Sequence, residues 1–136
     1  MSFRPSPQTL PLIDALVAAP GDLRGGSVPS LSGNVKLLID SGAKTTCIAV
    51  EVLQDLWLDM VERKTVDTPT GEGMLGFYMA DVGIFPTGSG RMIRHEVLVG
   101  GFLGTISGYH GLLGRDLLAH YDFRLTACKR FSQTPL

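Results

Sequence analysis

The fold is decided by the stretch Val35-Lys36-Leu37-Leu38-Ile39-Asp40-Ser41-Gly42-Ala43. It is a short apolar run that ends in an acid, followed at once by a small hydroxyl residue, a glycine and an alanine. A short apolar run bounded by turn residues predicts a buried strand, and Gly42 allows a sharp turn after it. A carboxylate at the end of such a strand is costly to bury unless it is paired or used. Asp40 is therefore the first candidate for a functional residue.

A second stretch, Gly111-Leu112-Leu113-Gly114-Arg115-Asp116-Leu117-Leu118, follows later in the chain. Together the two stretches resemble the paired motifs of the retropepsin-like aspartic proteases, the single-lobed relatives of pepsin. In that family an apolar strand leads into Asp-Thr/Ser-Gly-Ala, and an apolar-apolar-Gly-Arg-Asp/Asn-apolar-apolar segment comes later. By layout the resemblance covers roughly residues 8 to 131, and only these two stretches are specific. It implies a mainly β fold, a retropepsin-like closed barrel or sheet lobe with one or two short helices and one active site per homodimer.

Length and composition limit the classes of protein that fit. A chain of 136 residues is expected to form one domain, which we predict at residues 9–131, between a flexible N-terminal arm (1–8) and a C-terminal tail (132–136). The net charge of -1 lacks the excess of basic residues that is typical of nucleic-acid-binding proteins, so no nucleic-acid partner is predicted. The absence of a membrane-length apolar run and of a secretory signal predicts no membrane partner and a cytoplasmic location. Two cysteines, Cys47 and Cys128, do not make a disulfide framework.

The remaining segments predict mostly strands, at 10–17, 92–99 and 123–128, and a hairpin over 65–82 with a flexible tip at 69–73. Residues 111–121 are predicted to start as a strand and to become a short helix after Gly114. A longer helix is predicted from about Cys47 to Arg63, capped by Thr45 or Thr46, with Trp57 in the core. Its apolar residues recur every fourth position, as on one face of a helix: Ile48, Val52, Leu56 and Met60.

The resemblance implies that each chain carries half of an aspartic-protease site. One carboxylate must act as base toward water and a second as acid toward the scissile carbonyl, and two carboxyls this close share a proton. No internal repeat supplies a second Asp-Ser/Thr-Gly, so Asp40 of another copy in a two-fold dimer is expected to do so. Ser41 is expected to brace the site across the dimer, with Gly42 and Ala43 as further support. No metal or organic cofactor is needed.

The predicted hairpin corresponds to the flap of the family, which closes over a bound peptide. Its glycines would let backbone approach a ligand and let the lid move. The expected polypeptide substrate would bind as an added strand. The residues expected to contact it are Thr70, Gly71, Glu72, Gly73 and Met74. An ordinary exposed hairpin is the alternative interpretation.

The second motif contributes Gly114, Arg115 and Asp116. In the family, the arginine often pairs with an acid two residues after the site glycine, but here that position is Lys44. In one interpretation, Asp116 compensates for the acid that is missing at position 44. In the other, Arg115 and Asp116 are a structural pair at the start of a helix. Lys44 also supports a rival function, a dimeric retropepsin-like binding or scaffold module with weak or lost protease activity. The reason is that a cation near the two carboxyls would lower the pKa of the dyad. The intact Asp40-Ser41-Gly42 favours an aspartic endopeptidase.

Several other patterns are weaker. Gly71-Glu72-Gly73-Met74-Leu75-Gly76 fits G-x-G-x-x-G but lacks a βαβ unit. Ser41-Gly42-Ala43-Lys44 fits S-x-x-K without its partner motifs, and a nucleophilic Ser41 has no base beside it in sequence. The stretch from Asp40 to Thr45 also resembles the phosphate loop of actin-like sugar kinases, which need two large lobes.

Two further kinds of site are disfavoured by spacing. His95, His110 and His120 have no metal-ligand spacing with either cysteine, so each is expected on the surface or satisfied in the core. Cys47, close to the first motif, is expected to be a buried small apolar residue rather than a nucleophile.

Overall fold

Strands dominate the computed structural model of the chain, which describes residues 11–25, 28–68, 71–86, 90–103, 108–125 and 131–135. In chain order its elements are β1 (Leu12–Ala18), β2 (Gly33–Ile39), β3 (Cys47–Ala49), α1 (Val50–Asp55), β4 (Met60–Thr68), β5 (Gly71–Ile84), β6 (Ile93–Phe102), β7 (Gly111–Leu113), α2 (Arg115–Leu118), β8 (Tyr121–Leu125) and β9 (Phe131–Pro135).

The main sheet closes on itself. Its strand order is β1-β2-β7-β3-β6-β5-β4, and β1 also pairs with β5. The first six strands therefore form a closed ring, and β4 extends outward from β5. The β2–β7 and β3–β6 pairs are parallel, whereas β1 is antiparallel to both of its neighbours. The prediction of a mainly β fold with a closed sheet and two short helices is confirmed.

The core explains why β1 lies between two partners. Ile13, Ala15 and Val17 face the main core, while Leu16 and Ala18 join Leu23 in a smaller cluster. Both faces of the strand are thus buried from Ala15 to Ala18. In β2, by contrast, buried Val35 and Leu37 alternate with exposed Asn34 and Lys36. Alternation of this kind is typical of a strand with one face on the core.

The long helix predicted from Cys47 to Arg63 is wrong. Cys47–Ala49 form β3, which pairs with β6 and β7, and only Val50–Asp55 are helical. Neither threonine caps the helix, whose N-cap residue is Ala49 without a side-chain cap. Met60 begins β4 and is exposed. Apolar residues recur at every fourth position here although the segment consists of β3, the short helix α1 and the start of β4. Pairing of the strands with distant parts of the chain outweighs such a local pattern.

The prediction that Trp57 packs in the core is also wrong. Its side chain is 83% exposed, and its φ of 59° lies in the left-handed region. This residue reverses the chain after α1, where the core positions are already taken by Leu53 and Leu56. A bulky residue in this backbone region is uncommon, because the Cβ approaches the following carbonyl.

The predicted hairpin exists, with different bounds. Its first strand begins at Met60 rather than Thr65, and β5 continues through Ile84 into the stretch predicted as turns from Gly83. The ladder extends to the pair Thr68 and Gly71, so Gly71, Glu72 and Gly73 belong to the strand rather than to a flexible tip. A φ of 122° at Gly71 explains why glycine occupies that position.

The end of the chain forms a sheet of its own. Residues 111–121 form the predicted strand and short helix, and β8 then pairs with β9 in an antiparallel two-stranded sheet. The last strand was predicted at 123–128, whereas β8 spans Tyr121–Leu125 and residues 126–128 lie outside the described part of the chain. β9 occupies most of the stretch predicted as a tail. None of the helices in the described ranges has the length and apolar character needed to cross a bilayer.

Candidate active site

The Asp40 loop begins where β2 ends. The Asp40 N–H donates to the carbonyl of Leu113 at 3.1 Å, and the Asp40 carbonyl accepts from the N–H of Ala43 at 3.1 Å. Asp40 to Ala43 therefore form a tight turn. Within it, the Gly42 N–H donates to Oδ1 of Asp40 at 2.9 Å. A Cβ on residue 42 would lie 3.2 Å from the same Oδ1, so glycine gives the carboxylate room as well as a hydrogen bond.

The Asp40 carboxylate is oriented but not saturated. Within the described residues, the Gly42 N–H is its one hydrogen-bond donor, and Oδ2 has none. Asp40 is half-buried, and Ser41, Gly42 and Lys44 are exposed. An ionised carboxylate has about four acceptor positions on its two oxygens, so most of this capacity is free for water or another ligand.

The second motif lies beside the first. Parallel pairing of β2 with β7 sets Leu38 opposite Leu112 and Ile39 opposite Leu113. Two residues after the end of β7, the Arg115 N–H donates to the Ala43 carbonyl at 2.8 Å. The two stretches that carried the sequence resemblance are thus neighbours, and the chain of the second motif crosses directly behind the Asp40 loop.

Two glycines permit this crossing. A Cβ on Gly114 would lie 2.5 Å from the carbonyl carbon of Thr45 and 2.7 Å from its oxygen. A Cβ on Gly111 would lie 2.2 Å from the carbonyl oxygen of Cys47. Both obstacles are backbone atoms, which cannot rotate aside. The spacing Gly-x-x-Gly in the second motif is therefore explained by the close approach of two backbones.

Asp116 joins the second motif to the residues after the Asp40 turn. Its Oδ1 accepts from the Thr46 N–H at 3.0 Å and from the Thr46 hydroxyl at 2.7 Å, and its Oδ2 accepts from the same N–H at 3.1 Å. The Thr46 hydroxyl in turn accepts from the Gly114 N–H at 3.0 Å. Asp116 also accepts from the Leu117 N–H at 2.9 Å, inside the first turn of α2.

Thr46 is the residue that sequence reasoning missed at this site. It is completely buried, and its hydroxyl both donates and accepts. The sequence offered only a threonine that was able to cap a helix, and its true partner lies 70 residues away in the chain. The available signal was that Asp116 had no assigned partner while a threonine followed the first motif. A hydroxyl that becomes buried needs a hydrogen-bond partner, and a carboxylate is able to supply it.

The two cations of the site have no acidic partner. Lys44 and Arg115 are exposed, and neither forms an ion pair with any residue in the described ranges. Position 44, an acid in the family pattern, therefore makes no ion pair here. Asp116 instead links the two motifs through Thr46, by hydrogen bonds to a hydroxyl and to backbone.

Within the described residues, no hydrogen bond of Asp40 involves the predicted hairpin. Thr70 lies outside the described residues. Glu72 is exposed and Met74 is 64% exposed on β5, in a hairpin that the β5–β6 ladder anchors to the ring. The role of this hairpin as a flap stays a prediction, as does the bracing role of Ser41 across a dimer.

Cys47 is poorly suited to be a nucleophile. Its side chain is half-buried, and burial, aided by the charge of Asp116, raises the pKa of its thiol to about 11. The reactive thiolate is therefore scarce at neutral pH. A thiol mechanism beside Asp40 is disfavoured on this ground.

The histidines have local structural partners. His110 Nδ1 accepts from the Lys36 N–H at 2.9 Å, which ties β2 to the chain before β7. His95 hydrogen-bonds the Tyr121 hydroxyl and stacks on His120, with ring centroids 5.0 Å apart. Burial, and secondarily the charge of His120, lowers the pKa of His95. Within the described ranges, no three His, Cys, Asp or Glu side chains form a group able to hold a metal ion.

Comparison with known proteins gives two similar solved structures of retroviral proteases. The solution structure of simian foamy virus (mac) protease is 22% identical over 79% of this chain and 91% of its own, with a TM-score of 0.45. The EIAV protease complexed with the inhibitor HBY-793 is 18% identical over 81% of this chain and 86% of its own, with a TM-score of 0.46. No protein-family model and no curated protein sequence matches the chain. These matches are similarities of structure, and the retropepsin-like class stays the expectation raised by the two sequence motifs.

Proposed function

We propose that the protein is an aspartic endopeptidase that hydrolyses peptide bonds at the interface of a homodimer. The observation that carries this proposal is the state of Asp40. Its loop is fixed by hydrogen bonds to the chain of the second motif, yet among the described residues its carboxylate has a single donor, Gly42. A residue held in place but left unsaturated is suited to bind and activate water.

The second carboxylate of the reaction would come from Asp40 of a second copy. Asp116, the nearest acid in the second motif, is committed to Thr46 and to the start of α2. It is therefore a poor candidate for the second acid. A two-fold axis beside the Asp40 loop would bring the same residue from two chains together, since such an interface repeats one surface patch.

The chemistry then divides between the two Asp40 residues. One carboxylate accepts a proton from water, which attacks the scissile carbonyl carbon, and the other donates its proton to the carbonyl oxygen. Collapse of the tetrahedral intermediate breaks the C–N bond, with a proton delivered to the leaving amine. The pair holds a single proton at the start because two adjacent carboxyls resist double ionisation. Ser41 and Gly42 would hold the two turns in register.

Substrate would lie between the dyad and the β4–β5 hairpin. Gly71, Glu72, Gly73 and Met74 are proposed to cover an extended polypeptide, together with Thr70. The support for this role is that Gly71, Glu72 and Met74 are exposed near one end of β5. Main-chain hydrogen bonds would give affinity, and side-chain pockets would give preference.

The test is cleavage of a diverse peptide mixture between pH ~3 and ~7, a range that brackets titration of a carboxylate dyad, with cut sites read by mass spectrometry. Asp40→Asn should reduce cleavage by about 10²- to 10⁴-fold while leaving the dimer and the free energy of unfolding unchanged. Asp55→Asn is a matched control that removes an exposed carboxylate at the end of α1 and should leave cleavage unchanged.

Two outcomes oppose the proposal. Equal cleavage by the parent protein and by Asp40→Asn would assign the activity to another site or to a contaminant. No cleavage by either, in a sample shown to be dimeric by sedimentation, would favour the binding or scaffold module. The exposed Lys44 is the observation that favours this second candidate, because it places a positive charge four residues after Asp40.

A further inference from the structure

Two unpaired cations flank the Asp40 loop. Arg115 is joined to that loop through its N–H, which donates to the carbonyl of Ala43 at 2.8 Å, and Lys44 is the next residue after Ala43. Both side chains are exposed. Their backbones are therefore adjacent, on the rim of the turn that carries the candidate catalytic carboxylate.

Three other cations form ion pairs within the described residues. Lys36 lies 2.9 Å from Asp14, and Lys64 lies 3.0 Å from Glu62. Arg94 contacts both Asp81 and Glu96 at 2.7 Å. Lys44 and Arg115 form no ion pair with a described residue, and the acids of the two joined motifs already have other hydrogen-bond donors.

Those acids are Asp116 and Asp40. Asp116 accepts hydrogen bonds from the N–H and the hydroxyl of Thr46 and from the N–H of Leu117. The Oδ1 of Asp40 accepts from Gly42, and the proposed reaction requires its remaining capacity. The two joined motifs therefore bring two cations and two carboxylates together in one chain. Within the described residues neither cation forms an ion pair, and a two-fold dimer would repeat this set around a single cleft.

We infer that Lys44 and Arg115 form a subsite that selects peptides with a carboxylate side chain close to the cleaved bond. This inference rests on the proposed function. Residues in an extended peptide rise about 3.3 Å each, so an acid two or three residues from the scissile bond lies within reach of a long cationic side chain on the rim. Arginine can bind a carboxylate through two parallel hydrogen bonds, and lysine adds a mobile point charge.

The experiment compares matched peptides that carry Asp or Asn, and Glu or Gln, at each position within three residues of the cut. The probes are synthetic peptides built on a sequence that the parent protein cleaves. For the best acidic position, kcat/KM should exceed that of the amide analogue by about threefold to tenfold at low salt, as for an exposed to partly shielded ion pair. The advantage should shrink as ionic strength rises.

Variants assign the preference to the two cations. Lys44→Gln and Arg115→Gln should each reduce the acid-to-amide ratio, and the double variant should bring it to about one. Lys44→Glu should invert it. Arg24→Gln is the matched control, because Arg24 is an exposed cation in the turn after β1, and it should leave the ratio unchanged. A parent ratio of one at every position, or a ratio that survives in the double variant, would overturn the inference.

A binding measurement separates this inference from the proposed function. The same fluorescent peptides are titrated into the Asp40→Asn protein and into Asp40→Asn combined with the double variant, and anisotropy is recorded. Tighter binding of acidic peptides that is lost in the combined variant supports the subsite even if the parent protein cleaves nothing. Cleavage of neutral and acidic peptides at equal rates and affinities supports the protease and overturns the subsite. The absence of any peptide binding overturns the inference.

Discussion

Asp40 and Asp81 show two ways in which this fold holds a carboxylate. Asp81, in β5, is completely buried, and its Oδ2 accepts from the Arg94 Nε at 2.7 Å and from the Leu23 N–H at 3.1 Å. Asp40 is half-buried and accepts from Gly42. The Asp81 carboxylate is held by its ion pair and its own hydrogen bonds. The Asp40 carboxylate lies on a loop that backbone hydrogen bonds hold in place.

This difference separates structural acids from available ones. Burial alone would raise the pKa of Asp81, but hydrogen bonds from Arg94 and from the backbone of Gly21 and Leu23 outweigh burial and lower it. The charge is thus part of the fold. At Asp40, the fold depends on glycines and main-chain contacts, so the side chain is free to do chemistry. Four predictions test this contrast.

The largest effect is expected where the Asp40 loop depends on close backbone approach. Gly114→Ala places a Cβ against the carbonyl group of Thr45, at 2.5 to 2.7 Å. The two chains must separate, at a cost of about 3 kcal/mol in the free energy of unfolding, measured by urea denaturation. Gly33→Ala is the control, since its Cβ would meet Val52 at an ordinary 3.4 Å. An equal response of the two variants would contradict the crossing described at Gly114.

Removal of the structural charge should have the next largest effect. Asp81→Asn loses charged hydrogen bonds from Arg94, which costs roughly 2 kcal/mol of stability. Asp14→Asn is the matched control, because the Lys36–Asp14 pair is exposed and worth less than about 1 kcal/mol. Asp40→Asn should resemble the control in urea denaturation. A large loss of stability in Asp40→Asn would show that its carboxylate is structural after all.

The pH dependence of stability should follow the same division. The folded pKa of Asp81 is lowered from 3.8, so its contribution is present above that value and is lost as pH falls through the folded pKa. The folded pKa of His95 is lowered from 6.5, so stability also declines as pH falls below 6.5. In urea midpoints recorded from pH ~7 to ~2, a range set by these two groups, Asp81→Asn should flatten the lower decline and His95→Gln the upper one. Unchanged profiles in both variants would refute these assignments.

The smallest effect is expected at Cys47. Its thiol, with a pKa raised to about 11, should react with iodoacetamide at pH 8 at least tenfold more slowly than a model thiol of ordinary pKa, in a Cys128→Ser background and read by mass spectrometry. Cys47→Ser should leave peptide cleavage within about twofold of the parent, since the proposed chemistry uses a carboxylate. Loss of cleavage in Cys47→Ser would contradict the carboxylate mechanism and implicate the thiol.

Sequence reasoning succeeded where residue type and local conformation agree. The strand before Asp40 and the strand-to-helix change at Gly114 follow from short apolar runs bounded by turn residues. The closed mainly β fold was expected from the family resemblance. The site residues Asp40 and Asp116 are found from motif resemblance, and the structure shows their contacts. Their proposed functions remain open to the experiments above.

The failures have physical causes. A helical spacing is shared by Ile48, Val52, Leu56 and Met60. The segment from Cys47 nevertheless begins as strand β3, because it pairs with β6 and β7, which lie far away in the sequence. Trp57 has the size of a core residue but occupies a left-handed chain reversal. The partnership between Thr46 and Asp116 depends on a crossing of two distant segments. In each case the deciding interaction is long-range.

The position of β7 has a consequence for how the chain folds. Only three residues long, it lies between β2 and β3 in the ring, although it follows every other ring strand in sequence. Five of the six ring strands are therefore synthesised before the strand that separates β2 from β3 exists. Until Gly111–Leu113 arrive, both strands keep an open hydrogen-bonding edge, the kind of edge on which chains mispair. Ring closure and assembly of the Asp40 loop then become a single late event, because the same short segment completes both.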